Sequence, residues 1–324
     1  MQLKNRKLLL GSLVLLALAG FLAVRKELML VPRVRVGALH TKKPGKASMR
    51  FFALGDTGTG GEHQMRVAQA MNARCKQLNG GIDGILLLGD NAYPIGFSSV
   101  SDSQWQTKVV EPYAGDCLGN ATIYPVLGNH DYKQNPSSQI EYSLINQRWH
   151  MPNRFYSVSF GHLLRVVALD SNVTEFCFNP AFCGLDFMQA NLQQKDTVWT
   201  VVTAHHPIAG SSDHGFAYRG GVRGMLLKPY LCSRIDAYLS GHSHHLEYRQ
   251  PEDCRMGMFI SGGGGGDLYQ TVDADAAEVK FVKGTHGFLD IELNDQEMVA
   301  RFIDEDGKEL YVATKKPSGQ YAPQ

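Results

Sequence analysis

Charge of one sign is what this sequence has least of: 32 Lys and Arg stand against 31 Asp and Glu, a net charge of +1. No field exists to gather a polyanion by charge alone, which argues against nucleic acid as a main partner. The six cysteines, at 75, 117, 177, 183, 232 and 254, include no C-x-x-C pair, which argues against a structural zinc site. The glycine run from Ser261 to Asp267 lacks the Lys-Ser/Thr ending of a phosphate-binding P-loop, so close approach of backbone to a site, or a plain loop, is expected there. Internal repeats are also missing.

What is present is an ordinary globular composition, 44% apolar and 19% charged over 324 residues, enough for one large core or two modest ones. The first residues stand apart. Lys4, Arg6 and Lys7 precede 17 uncharged residues from Leu8 to Val24, closed by Arg25 and Lys26. Residues 1–26 read equally as a secretory signal or as an N-terminal membrane anchor, and positive charge at both ends leaves the orientation open. Either reading sends the chain out of the cytoplasm, to a periplasmic or extracellular place. An even cysteine count then permits disulfides: Cys177 with Cys183, and Cys232 with Cys254, are candidate pairs, while Cys75 on a helical pattern reads as well as a buried unpaired thiol. Asn120-Ala121-Thr122 and Asn172-Val173-Thr174 fit glycosylation sequons, relevant only in a eukaryotic secretory route.

Residues 27–48 are rich in basic side chains and read as a tether, 49–313 as the folded domain and 314–324 as a loose tail. Within the domain the pattern has an α/β rhythm. Strands are expected at Arg50 to Leu54, Ile82 to Leu88 and Thr122 to Val126, with helices from Glu62 to Leu78 and Gln104 to Tyr113 between them. A hairpin follows, with arms Phe155 to Phe160 and Leu163 to Leu169, then a helix from Leu185 to Gln194. Strands at Val198 to Thr203, Ala237 to Leu239 and Met258 to Ile260 come next, and Gly287 to Ala313 reads as β.

Polar motifs sit just past the strand ends: Asp56 in GDTG, Asp90 in GDNAY, Asn129-His130-Asp131 in GNHD, His205-His206 in VVTAHHP, and His242, His244 and His245 in GHSHH. Singly, each is explained by a turn, a helix cap or a half-packed histidine. In an α/β fold the carboxyl ends of strands gather on one side, so five such motifs in order can converge on one ligand. Carboxylate, amide and imidazole without thiolate suit first-row divalent ions or ferric iron. Two ions about 3.5–4 Å apart need a shared anionic ligand and are used for phosphoryl transfer. Asp90 is the candidate bridge.

The ordered set GDTG, GDNAY, GNHD, VTAH and GHSH resembles the metallophosphoesterase family, and within it the purple acid phosphatase branch, close to the small tartrate-resistant acid phosphatases. Many metallophosphoesterases carry Asp-x-His in the first motif; here Gly58 follows Asp56-Thr57, and Tyr93 takes the place of the lost ligand. The resemblance implies a four-layer sandwich, two mixed β-sheets packed face to face with helices outside. It assigns Asp56, Tyr93 and His244 to a ferric ion, Asn129, His205 and His242 to a divalent ion (iron, zinc or manganese), and Asp90 to both. It further implies hydrolysis of phosphate monoesters, small or on a phosphoprotein, by a hydroxide held on the metal pair, with His130 and His214 nearest the leaving group. A phosphodiesterase or phosphoprotein phosphatase on the same core, or a non-hydrolytic metal-binding protein, are the alternatives. His206 stands where relatives often have an aromatic residue. His40, His63, His150, His162, His245 and His286 match no ligand position and read as structural.

Overall fold

In the central strands nearly every side chain is buried, and neighbours in sequence go to different layers. Val166, Val201, Ala237, Leu239 and Phe259 enter one apolar cluster, whereas the adjoining Val167, Val202, Tyr238 and Met258 enter another. Side chains alternate across a strand, so a strand covered on both faces reads as a continuous apolar run. The computed structural model describes residues 40–78, 81–173, 184–215, 219–271, 276–317 and 319. The apolar run from Leu8 to Val24 and the Cys177/Cys183 pair lie outside them. Among the described residues no helix is long and apolar enough to cross a membrane.

One sheet contains, in spatial order, β1 (His40–Lys43), β5 (Tyr156–Phe160), β6 (Leu164–Ala168), β7 (Trp199–Thr203), β8 (Ala237–Ser240), β10 (Gly257–Ser261), β9 (Leu246–Arg249) and β11 (Val279–Lys283). The second contains β14 (Glu309–Lys315), β13 (Met298–Asp304), β12 (Gly287–Asn294), β2 (Ser48–Leu54), β3 (Gly84–Leu87) and β4 (Ile123–Pro125). Both are mixed. Their inner faces meet in one core, where Phe51 of β2 packs edge-on against Phe160 of β5 and Phe259 of β10 lies near Phe302 of β13. Helix α1 (Glu62–Gln77) lays Val67 and Met71 on the second sheet. Helices α3 (Leu185–Leu192) and α4 (Gly221–Leu231) cover the first with Phe187, Met188, Leu192, Leu227 and Leu231. The short α2 (Ser137–Tyr142) sits between β4 and β5 in sequence. Two mixed sheets packed face to face, with helices outside, are the architecture the motifs implied.

Several local expectations need correction. The stretch read as a tether contributes β1, which pairs in parallel with β5, and β2 begins at Ser48. β1 escaped notice because it is an edge strand ending in Lys42 and Lys43, the residue type that keeps a sheet edge from pairing further. β14 runs to Lys315, past the expected end at 313. The helix expected from Gln104 to Tyr113 is in part a π turn at Gln106–Val110, closed by Glu111 N–H donating to the Gln106 carbonyl at 2.9 Å. α4 was hidden by Gly224 and by Pro229 inside it, both poor helix formers. Cys232 is bonded to Cys254 as anticipated, whereas Cys75 is bonded to Cys117 across 42 residues rather than being an unpaired core thiol. Both bonds fit an oxidising compartment.

His150 gives this fold a pH dependence of its own. Its ring lies edge-on to Tyr124 and Tyr156, with Nε2 3.3 Å from Thr41 Oγ1. Burial first, and then the charge of Lys43, lower its pKa from 6.5 to about 4. The folded value lies below the unfolded one, so the stabilisation is complete above about pH 6.5 and is lost as pH falls towards 4. Because the ring keeps partial solvent contact, the expected loss is only about 1–2 kcal/mol. Urea midpoints measured at pH 7 and 4.5 should converge for His150→Asn relative to the parent; an identical drop in both proteins would refute the assignment.

Candidate metal centre

β2, β3 and β4 run parallel, as do β6, β7, β8 and β10, so the loops after them leave from the carboxyl edges of the two sheets. The edges are stitched together. Gly55 N–H donates to Ser261 O at 2.7 Å, Asp56 N–H to Gly89 O at 2.9 Å, and His205 Nδ1 to Leu88 O at 2.8 Å. Asp56, Asp90 and His242 turn the chain here in the left-handed region, with φ of 59, 53 and 65°. That conformation is sparse for residues other than glycine, and its concentration at three strand ends marks a functional constraint. Gly128 permits the closest approach: a Cβ there would lie 2.1 Å from Asp90 Oδ1.

All seven side chains expected as ligands come together. Around the phenol, Tyr93 Oη lies 3.0 Å from Asp56 Oδ1, 2.9 Å from Asp90 Oδ2 and 3.1 Å from His244 Nε2, and His244 Nε2 lies 3.3 Å from Asp56 Oδ1. Around His205, its Nε2 lies 3.1 Å from Asn129 Oδ1, 3.1 Å from His242 Nδ1 and 3.5 Å from Asp90 Oδ2. Asp90 belongs to both groups. Its other oxygen, Oδ1, accepts the His130 backbone N–H at 2.8 Å, and Asp56 Oδ2 accepts that of His242 at 2.8 Å.

The donor chemistry fits cations. His205 and His244 point their Nδ1 atoms at carbonyls, of Leu88 at 2.8 Å and of Asp267 at 2.6 Å, which aims the Nε2 lone pairs inward. Histidine ligands are oriented by such carbonyls in metal proteins. Tyr93 has one proton to offer and two carboxylates within reach. The carboxylates favour a proton on two of the histidines. Burial would raise the Asp90 carboxyl and lower His205, yet their mutual attraction reverses both: Asp90 stays well below the usual carboxylate range and His205 is lifted to about 9. His244 is raised too, because Asp56 outweighs burial. His242 is pushed well below its ordinary value by burial and by His205. Burial, then Asp56 and Asp90, push Tyr93 well above 10, a direction that a bound cation reverses.

His130 and His214 lie on the phenol side. The half-buried His130 ring is 4.4 Å from that of Tyr93, with Nδ1 2.7 Å from the Pro94 carbonyl and Lys133 Nζ 3.1 and 3.2 Å from its two nitrogens. His214 is exposed, 2.8 Å from Asp213 Oδ1, and stacks on Tyr269, which stacks in turn on His244. His206 is buried beside the cluster, its Nδ1 2.8 Å from Ser171 Oγ and its ring 4.3 Å from that of His242.

Three contributors carried no role in the sequence reading. Asp131, fully buried, accepts from Gly128 N–H at 2.8 Å and Asn91 N–H at 3.1 Å, bracing the loops of two motifs. Burial and the neighbouring Asp90 raise its pKa to about 7. It stands inside the GNHD motif, so its position there was the available signal. Lys133 and Tyr269 belong to no motif.

Comparison with known proteins gives the family. Tartrate-resistant acid phosphatase type 5 of Homo sapiens is 29% identical over 297 residues, covering 82% of this chain and 90% of that protein. Purple acid phosphatase 3 of Arabidopsis thaliana is 25% identical over 290 residues, covering 82% and 76%. Among solved structures, GAP50, the anchor in the inner membrane complex of Plasmodium, aligns with a TM-score of 0.72 at 22% identity over 84% of this chain and 90% of that one. A purple acid phosphatase from yellow lupin seeds aligns with a TM-score of 0.66 at 16% identity over 87% and 57%. At those identities the structural likeness concerns the fold. Residues 49–246, more than half of the sequence and inclusive of all seven clustered side chains, match the Calcineurin-like phosphoesterase family, and the chain belongs to that family.

Proposed function

We propose that this protein is a purple acid phosphatase that hydrolyses phosphate monoesters at a binuclear centre of ferric iron and a divalent ion, in a periplasmic or extracellular setting. The observation that carries this reading is the pair of donor groups sharing the single carboxylate of Asp90. Asp56, Tyr93, His244 and Asp90 would hold the ferric ion, because carboxylate and phenolate suit a hard trivalent charge. Asn129, His205, His242 and Asp90 would hold the divalent ion through mainly neutral donors. Such a pair supplies Lewis acidity towards the phosphoryl oxygens and an activated water.

The remaining steps belong to side chains. His130, its Nδ1–H donating to the Pro94 carbonyl and its ring beside Tyr93, would give a proton to the leaving oxygen from Nε2 in its doubly protonated form. Lys133 adds positive charge at that place, and His214 approaches from the Tyr269 side.

Turnover of the iron-loaded protein on 4-nitrophenyl phosphate and on its bis-ester tests the substrate class. A kcat/KM at least about tenfold higher for the monoester is expected; the reverse order would transfer the reading to a diesterase. In the same assay, His130→Ala should lower kcat on an alkyl phosphate by roughly 10²-fold and far less on the nitrophenyl ester, whose leaving group needs no proton. Equal losses on both esters would remove the acid role of His130.

A further inference from the structure

A second cluster of donors lies outside the centre described above, and we propose that His63, His286 and Glu305 form an independent site for a zinc-type divalent cation. The one nitrogen or oxygen each offers lies within 4.8 Å of the others. The three come from separate elements. His63 is in the first turn of α1, His286 directly precedes β12 and Glu305 directly follows β13. β12 and β13 pair with Gly287 opposite Asp304, and Glu305 N–H donates to His286 O at 3.1 Å, so the ladder fixes two of the three side chains at one end of a hairpin.

The tautomer of His286 is also fixed. Its Nε2–H donates to the Gly266 carbonyl at 2.9 Å, which leaves the lone pair on Nδ1, 3.8 Å from Glu305 Oε2. The same carboxylate oxygen is 2.8 Å from His63 Nδ1, while Arg66 Nη1 holds Oε1 at 3.1 Å. Metal bonds of about 2.0–2.2 Å to nitrogen and oxygen put tetrahedral donors roughly 3.3 Å apart, a value the two observed separations bracket. The imidazoles stack at 3.9 Å with 23° between planes, and making their lone pairs converge requires a turn of one ring. His63 is the ring able to turn, since its side chain is 48% exposed and its χ2 well is broad. Burial also lowers the proton affinity of His286, which favours the neutral form that can act as a ligand.

Two imidazoles and one carboxylate, without thiolate, are a zinc-type set with a fourth position left to water. The carbonyl that orients His286 belongs to Gly266, whose N–H donates to Asp56 O at 3.0 Å, so an ion seated here would brace the glycine run against the strand-end cluster. An ion-paired surface histidine stacked on a buried one is the competing explanation, and zinc uptake separates the two.

Full-length protein stripped of metal would be titrated with zinc sulfate alone and its bound zinc counted after gel filtration. The parent should take up one equivalent more than His63→Ala, an exposed change compatible with folding. In an Asp90→Asn background one equivalent should remain, and adding His63→Ala should remove it; Glu305→Gln should weaken that binding at least 100-fold. Unchanged uptake on His63→Ala in both backgrounds would overturn the site. Unchanged uptake on Asp90→Asn alone would instead count against the shared carboxylate of the main centre.

Discussion

Asp90→Asn is expected to release both ions of the main centre and to lower kcat/KM by about four powers of ten, or ~5.5 kcal/mol of transition-state stabilisation. The substitution is nearly isosteric, so the loop after β3 should keep its path and the fold its stability. What changes is the charge and the direction of donation. The oxygen that accepts the His130 N–H at 2.8 Å is held by the backbone, and an amide will place its own oxygen there to satisfy that donor. Its NH₂ then occupies the position of Oδ2, between Tyr93 Oη and His205 Nε2, and presents hydrogens where cations would bind. A ligand becomes a repulsive group in both halves at once. Metal analysis of the purified variant decides the matter, and two retained ions would sink the bridging role.

Why such a site could be found in one sequence is a matter of local constraint. A side chain that must sit at the end of a strand and turn back on the ligand needs a tight turn, and tight turns have residue signatures. Asp56, Asp90 and His242 each follow a glycine and each adopts positive φ, so the Gly-Asp and Gly-His pairs record the geometry directly. The continuous apolar runs before them recorded strands covered on both faces. Nothing comparable records contacts made at long range. Cys75 meets Cys117 only because α1 and the loop before β4 are brought together, and Tyr269 reaches His244 only because the chain after β10 bonds to the turn that follows β2 and to His244 itself. His63 lies more than two hundred residues before His286 and Glu305 and the three share no motif, so His63 and His286 read as structural one at a time and Glu305 carried no signal. β1 and α4 were obscured for a different reason: charged edge residues in one, and glycine and proline inside the other, contradict the propensities of the elements they form.

Tyr93→Phe should remove the visible absorption of the iron-loaded protein, leaving less than about a tenth of the band, while the fold stands. The ring would still fill its place 4.4 Å from His130, so packing is retained and the phenolic oxygen alone is lost. That oxygen cannot ionise unaided. Burial and then the charges of Asp56 and Asp90 hold its pKa well above 10, so at neutral pH it carries its proton unless a stronger positive charge takes the proton's place. A trivalent cation does so, and phenolate bound to ferric iron is what would give a band in the visible. Colour is therefore a direct report of the oxygen's charge state, independent of turnover. Three acid oxygens crowding one point would favour the higher charge on an ion bound there. The variant, with one anionic donor fewer, should hold its iron less tightly as ferric and shift its reduction potential upward. The metal-free parent should be colourless, with no Tyr93 ionisation in ultraviolet titration up to about pH 10. An unchanged visible spectrum in Tyr93→Phe would show that this phenol binds no iron, and the ferric half of the centre would have to be assigned again from Asp56, Asp90 and His244 alone.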